Sequence, residues 1–365
     1  MALPASLGRE RSAMTTPTRP VRSTAALALA LSACASGPPL QPEGHRMAPL
    51  VTATAQQAGV RDLRGDFRAA LCERLAGAER GCDRVLTRMG AEPAPDGAPF
   101  PPVEAQARRY RIGIVPGFLA GCLDDDARPF AVAAKELRAQ GFEVVYLPTT
   151  GRGSVATNAE MLAREIAALP DDPRPLVLFG YSKGMPDALD LVARFPEAQG
   201  RIAALVGVGA ASLGSPLADR YEDLWRSTLM NLPFGSCAAG KGEGVHDLRR
   251  DVRVAWWVEH GRQVRVPMYS IVGLPEADRI SPIMAAAHAQ LSDVDARNDC
   301  QVIWTDAVAV PGALLGYVNA DHWALAMRLS QAFPLLAGSF VDDVPRGAML
   351  GAAMAVVARD LERAR

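Results

Sequence analysis

The stretch Pro175-Leu-Val-Leu-Phe-Gly-Tyr-Ser-Lys-Gly-Met185 restricts this chain more than any other. An apolar run ends in Gly180-Tyr181-Ser182-Lys183-Gly184, and a helical pattern starts at once. The G-x-S-x-G pattern therefore stands between a strand and a helix, the setting in which a sharp turn lifts a serine hydroxyl above a sheet edge. The flanking positions are glycine because a Cβ there would strike the converging strand and helix. Such a chain must have a central buried strand, and Ser182 becomes a candidate nucleophile.

The surrounding pattern supplies the sheet. Short apolar strand candidates recur at Arg111–Val115, Phe142–Leu147, Leu176–Phe179, Ile202–Val208, Val266–Val272 and Ala313–Val318. Helical patterns separate or follow them at Pro129–Gln140, Thr157–Leu169, Met185–Phe195, Trp323–Phe333 and Val344–Ala364. Buried strands alternating with helices predict an α/β fold whose sheet is mostly parallel and covered on both faces. At 365 residues and 49% hydrophobic, the chain is long enough for one large domain of this kind.

Two segments depart from the rhythm. Asp62–Met89 carries apolar residues at helical spacing with a break at Gly77–Gly81, which predicts a helical hairpin within an N-terminal segment, 57–105, ending in a Pro-rich linker. Helical patterns at Asp219–Leu232 and His246–His260 form an insertion at about 212–265, where a cap over the site is expected. Its Trp225, Trp256 and Trp257 face either the sheet or the substrate, with the sheet favoured.

A seryl hydroxyl becomes nucleophilic at neutral pH when a neutral imidazole takes its proton and a carboxylate orients that imidazole. Where the serine stands on a strand-to-helix turn, acid and histidine follow in that order. Of the five histidines, His45 lies near the N-terminus, His246 and His260 in the insertion, and His288 in an Ala-rich helical run. Only His322 follows a last strand in a short loop, Asn319-Ala-Asp-His322, and is the candidate base. Asp278 follows the strand ending at Val272 and is the plain topological choice for the acid, Asp299 is its rival, and Asp306 and Asp321 are weaker choices. Two backbone N–H groups must hold the oxyanion. Lys183 supplies one, and Phe118, after the Gly117 turn that follows the first strand, supplies the other. The Lys183 side chain reaches solvent or attracts an anionic substrate. Asp124-Asp-Asp126 reads as a helix N-cap cluster, and no metal site or cofactor is expected.

Asn298-Asp299-x-x-Val302, followed after about twenty residues by the loop histidine, resembles the acid and histidine segment of bacterial triacylglycerol lipases, with Cys300 where those usually carry Gly. Ala210-Ala-Ser-Leu-Gly-Ser-Pro-Leu-Ala218 is similar to the segment after the sixth strand of lipase-like hydrolases, and Asn158–Ile166 to the helix before their nucleophile strand. From about residue 106 to 365 the chain resembles lipase- and esterase-like members of the α/β-hydrolase superfamily, in particular bacterial α/β-hydrolase lipoproteins. The resemblance implies a serine hydrolase of carboxylic esters and favours Asp299 over Asp278. It leaves thioesterase, polyester depolymerase and a non-catalytic envelope lipoprotein that binds through the same fold as alternatives. Ala324, two residues after His322, departs from the aspartate those lipases carry and removes a calcium ligand.

The N-terminus carries an export address. Arg19 and Arg22 precede the apolar Ala25–Leu31, and Leu31-Ser-Ala-Cys34 resembles the bacterial lipobox, which makes residues 1–34 a lipoprotein signal with Cys34 as the lipid anchor. Met14 could equally serve as the start. Residues 35–56, rich in Pro and Gly, follow as a tether. The expected place is the cell envelope of a bacterium, lipid-anchored, with a small-molecule or lipid ester as substrate. A net charge of −1 and the absence of a basic stripe exclude nucleic acid as a natural partner. Export implies an oxidising compartment. Cys72 and Cys82 are the expected disulfide, and Cys122–Cys237 or Cys237–Cys300 a second.

Overall fold

The computed structural model describes residues 59–78, 81–119, 122–227 and 242–364. Cys34 with its signal, the tether and Cys237 lie outside the described residues.

Among the described residues eight strands form one sheet: β1 (Val60–Asp62), β2 (Leu86–Thr87), β3 (Arg111–Val115), β4 (Val144–Tyr146), β5 (Leu176–Tyr181), β6 (Ile202–Val208), β7 (Met268–Gly273) and β8 (Gly312–Val318). Their order is β1-β8-β7-β6-β5-β3-β4, all parallel, with β2 pairing antiparallel to β8. The longer helices are α1 (Arg64–Arg74), α2 (Ala131–Ala139), α3 (Val155–Ala168), α4 (Gly184–Arg194), α5 (Pro216–Ser227), α6 (Arg250–His260), α7 (Ala285–Ser292) and α8 (Arg346–Arg363).

Period-two alternation divides the core between the two faces of the sheet. On β5, Val177, Phe179 and Tyr181 join one cluster with Phe67 of α1, Leu137 of α2 and Leu350 of α8. Leu176 and Leu178 join the other, with Leu162 of α3 and Leu189 of α4. Both faces are covered, so the central strands carry apolar residues at nearly every position. The mostly parallel sheet with helices on both faces matches the α/β-hydrolase expectation.

The N-terminal segment differs from the predicted hairpin. Only α1 is a full helix; its successor is a single turn, Cys82–Val85, that runs directly into β2. The apolar spacing of Val85 and Leu86 serves the sheet, because β8 has an open edge that needs partners. β1 pairs Val60–Asp62 with Gly312–Leu314, and β2 pairs Leu86 and Thr87 with Val318 and Tyr317, so two short strands cover that edge end to end. The Cys72–Cys82 disulfide closes the intervening loop. Cys122 is also disulfide-bonded, and Cys300 is a buried free thiol, which removes the Cys237–Cys300 alternative. Asp124–Asp126 lie in a turn and cap no helix: the α2 N-cap is Phe130, Asp125 pairs with Arg128 at 2.8 Å, and Asp126 with Lys135 at 3.4 Å. The pattern predicted as one helix at Trp323–Phe333 breaks into two short ones around Met327 and Arg328.

In the insertion, α5 covers the described part of the Asp219–Leu232 pattern, whose remainder lies outside the described residues. Helix α6 starts at Arg250 after a single turn at Glu243–His246, and Asp219 Oδ1 accepts from the Arg250 N–H at 2.9 Å to join the two helices. Trp256 and Trp257 pack on the sheet-side cluster, with their indole N–H groups donating to Asp190 Oδ1 at 2.8 Å and the Ser212 carbonyl at 3.0 Å. Both are partly buried against the core on the sheet side; the Trp225 side chain lies outside the described residues.

Phe67 is fully buried, and a Cβ placed on Gly316 of β8 would lie 2.8 Å from its ring. Phe67→Ala is therefore expected to leave a cavity between α1 and the sheet and to destabilise the protein by about 3–5 kcal/mol. A urea denaturation midpoint that drops accordingly with an unchanged slope supports this packing role, and an unchanged midpoint refutes it.

Candidate active site

The turn at Ser182 is held by backbone alone. Ser182 has φ +53°, in the left-handed region that a β-carbon resists. Its N–H donates to the Val208 carbonyl at 3.1 Å, and its carbonyl accepts from the Met185 N–H at 3.2 Å and the Ala211 N–H at 3.2 Å. A Cβ on Gly184 would lie 2.2 Å from the Val115 carbonyl oxygen, and one on Gly180 would lie 2.8 Å from the Met185 Cα. The ends of β3 and β5 and the start of α4 thus meet at distances that exclude any side chain at either glycine. Gly117 lies against the same point, its Cβ position 2.8 Å from the Ser182 Cβ.

The loops after β7 and β8 bring an acid to a histidine. His322 Nδ1 lies 2.8 Å from Asp299 Oδ2, and both side chains are buried. The His322 N–H also donates to the Asp299 carbonyl at 2.7 Å, so backbone and side chain hold the pair in one orientation. Asp299 Oδ1 accepts from the N–H groups of Gln301 at 3.0 Å and Val302 at 2.8 Å. These bonds fix which oxygen faces the imidazole. Fully buried Asn298 braces the loop: its Nδ2 donates to the Asp295 carbonyl at 3.0 Å, and its Oδ1 accepts from the Cys300 N–H at 2.9 Å. Cys300 has φ +79°, in the left-handed region that favours glycine.

Asp321 faces away from the ring. Its Oδ1 caps the helix that begins at His322, accepting from the Ala324 N–H at 3.0 Å, and its Oδ2 accepts from the Ser281 N–H at 2.8 Å. Burial raises its carboxyl above the usual range, and nearby Asp299 adds to the rise. Tyr181 lies under the imidazole with ring centroids 5.1 Å apart, and its hydroxyl donates to the His322 carbonyl at 3.0 Å. Asp278 is exposed on a short 3-10 turn and lines a cleft of about 250 Å³ with Arg84, Glu276 and Asn319. Asp306 is paired with Arg250 of α6 at 2.9 Å, and burial pushes its carboxyl up to about 7. The remaining described histidines are placed elsewhere: His246 is 2.7 Å from Glu222, His260 stacks near Trp256, and His288 sits on α7.

Gly209 joins the serine to the acid–histidine pair. It follows Val208, which accepts from the Ser182 N–H. Its Cβ position lies 3.2 Å from Asp299 Oδ2 and 3.3 Å from His322 Nδ1. Ser182, Asp299 and His322 thus share the carboxyl edge of the sheet around the end of β6. Among the described residues no hydrogen bond joins Ser182 Oγ to His322; such contacts are often longer without a bound substrate. No acceptor is bonded to the Lys183 N–H among the described residues, and that group stands at the start of α4, where the helix field favours negative charge. No group of metal-ligating side chains occurs among the described residues.

The Lys183 side chain corrects the sequence reading. It reaches neither solvent nor substrate: it is 1% exposed, and its ammonium donates to Asp187 Oδ1 at 2.6 Å. Asp187 is equally buried and takes a second bond from Asn158 Nδ2 at 2.8 Å. Burial pushes its carboxyl up to about 6 against the pull of Lys183 and Asn158. Arg253 lies nearby, wholly buried, its cation brought down to about 10 by desolvation and stacked 4.5 Å over the Trp256 ring. The i,i+4 spacing of Lys183 and Asp187 is legible in the sequence; their burial is not.

Among solved structures, the chain is similar to the metagenomic carboxyl esterase MGS0156, with 34% identity, coverage of 88% of this chain and 100% of that one, and a TM-score of 0.81. It shares a fold with the Bacillus licheniformis lipase BlEst2 in mature form, at 18% identity over 67% of this chain and 94% of that one, TM-score 0.50. The Staphylococcus hyicus lipase matches likewise, at 10% identity over 71% of this chain and 97% of that one, TM-score 0.51. No protein-family model and no curated protein matches the chain.

A methyl group at Gly209, which has φ +52°, would crowd Asp299 and His322 and meet Leu325 at 2.9 Å. Gly209→Ala is expected to lower ester turnover by about tenfold or more through misplacement of the imidazole. Steady-state kinetics beside a melting curve check this, and full turnover in the folded variant would dissociate Gly209 from the site.

Proposed function

We propose, for a chain that belongs to the α/β-hydrolase family and hydrolyses carboxylic esters, that the reaction runs through Ser182, His322 and Asp299. The observation that carries this reading is the buried His322 Nδ1–Asp299 Oδ2 contact of 2.8 Å beside the left-handed Ser182 turn.

Ser182 Oγ attacks the ester carbonyl carbon while His322 Nε2 takes the hydroxyl proton. The imidazole Nδ1–H donates to Asp299 Oδ2, which holds the tautomer and stabilises the imidazolium as it forms. The carbonyl π electrons move onto oxygen, and the N–H groups of Lys183 and Phe118 hold that oxyanion. Collapse breaks the bond to the alcohol oxygen, which leaves with the proton from His322. Water then repeats the sequence on the acyl-enzyme, releasing the acid and free Ser182. Asp299 is favoured over Asp278 because only Asp299 touches His322.

We also propose that the mature chain is attached to a bacterial envelope membrane through acylated Cys34, on the strength of Leu31-Ser-Ala-Cys34 behind an apolar run. Among the described residues no helix is long and apolar enough to cross a membrane.

Ser182→Ala is expected to abolish both ester hydrolysis and covalent labelling by a fluorophosphonate. Asp299→Asn should lower kcat by about three to four orders of magnitude with the fold intact. Asp278→Asn should stay within about twofold of the parent, as a surface substitution away from the reacting atoms. Persistent labelling in Ser182→Ala, or the reverse ranking of the two aspartates, would overturn the assignment. Cys34→Ala should move the protein from the membrane to the soluble fraction; unchanged fractionation would remove the anchor.

A further inference from the structure

The two oxyanion donors named above come from parts of the chain 65 residues apart, Phe118 after β3 and Lys183 after β5. Their separation must be held to a fraction of an ångström for both to meet one oxygen. Backbone bonds fix the Ser182–Lys183 turn against β6. The 116–119 loop is placed differently, because Leu119 has φ +59° and its N–H donates to the Gly151 carbonyl at 2.7 Å. Gly151 belongs to the loop that follows β4, so that loop sets where Phe118 stands.

A chain of polar contacts links this loop to Lys183. The Lys183 ammonium donates to Asp187 Oδ1 at 2.6 Å, and Asn158 Nδ2 of α3 donates to Asp187 Oδ2 at 2.8 Å. Asn158 Oδ1 then accepts from Thr150 N–H at 3.0 Å and from Thr150 Oγ1 at 2.8 Å. Thr150 precedes Gly151, whose carbonyl holds Leu119. Lys183, Asp187 and Asn158 are each 1% exposed. A charged pair in that environment is an expensive way to fill a core, and its retention calls for a geometric reason.

We propose that Asp187 is a positioning residue that sets the spacing of the Lys183 and Phe118 N–H groups through the continuous path Lys183–Asp187–Asn158–Thr150–Gly151–Leu119. This rests on the reading of Ser182 as nucleophile and of those two N–H groups as oxyanion donors. Asp187 touches no reacting atom. It joins the helix after the nucleophile to the loop that carries the other donor, so the two halves of the oxyanion site are held as one unit.

The test uses the full chain, p-nitrophenyl butyrate as substrate, and an alkyl trifluoromethyl ketone, whose adduct with a serine carries an oxyanion. Active sites are counted by fluorophosphonate labelling. In Asp187→Asn, kcat per active site is expected to fall about ten- to a hundredfold, as misplacement of reacting groups does. KM should change by less than about threefold, and the ketone inhibition constant should rise by the same factor as kcat falls, the mark of an interaction made only in the transition state. Asn158→Ala, which leaves the Lys183–Asp187 pair in place and cuts the path farther along, should reproduce the split and decides the matter if Asp187→Asn does not fold. Loss confined to melting temperature or to the number of active sites, with kcat per site and ketone inhibition within about twofold of the parent, would overturn the proposal. Ser182→Ala separates the two readings. If it keeps labelling and activity, the nucleophile assignment fails and this inference with it. If it loses both while the split is absent, only the positioning role fails.

Discussion

The rest of the structure depends on the close approach of backbone at Ser182. The carbonyl of Val115 at the end of β3 sits where a side chain on Gly184 would be, and α4 begins before β5 has cleared the sheet. A turn this tight forces Ser182 into a left-handed conformation, which disfavours an L-residue by about 1–2 kcal/mol. It persists because three backbone bonds and the packed ends of β3 and β6 leave no alternative. The same crowding puts the Lys183 N–H at a helix start with no protein partner among the described residues, so strain and unspent donor capacity arise from one constraint.

Legibility followed burial. The strands β3, β5 and β6 were readable because each lies inside a sheet covered on both faces, where apolar character is continuous and the breaks between elements are sharp. The N-terminal segment was harder. Val85 and Leu86 fit a helical period, yet Leu86 pairs with Val318, since an unpaired edge of β8 outweighs local preference. Trp323–Phe333 shows the converse, a periodic run split where its residues serve two separate packing sites. Asp278 fits the order of elements, but the chain leaves β7 for a long excursion through α7 and returns at Asn298-Asp299 before the carboxylate meets His322. Spacing along the sequence does not encode that return; resemblance to the lipase segment did.

Lys183 marks the limit of residue-type reasoning. A lysine beside a nucleophile reads as a solvated or substrate-facing charge, because free lysine is seldom buried. Here its partner is one helical turn away, and Asn158 from α3 completes the carboxylate. Removing one member of a buried pair typically costs about 3–5 kcal/mol, whereas replacing the whole pair with apolar groups is often neutral. Net stability is therefore a weak reason for such a pair, and directional geometry is a stronger one. Burial pushes the Asp187 carboxyl up to about 6 even with Lys183 and Asn158 bonded to it, so desolvation outweighs their pull.

Both sides of the site are also fastened to the inserted helices. On the oxyanion side, the Gly244 N–H donates to the Arg152 carbonyl at 3.2 Å and Val155 N–H to Asp247 Oδ2 at 2.5 Å. On the acid side, Ser215 Oγ donates to the Gln301 carbonyl at 2.5 Å and Leu213 N–H to the Asp306 carbonyl at 2.9 Å. The insertion thus leaves the domain at the loop that orients Asp299 and returns past the loop that positions Phe118. In the proposed mechanism its anchor points belong to the catalytic framework, because a shift at either would move Asp299 or the loop carrying the Phe118 N–H.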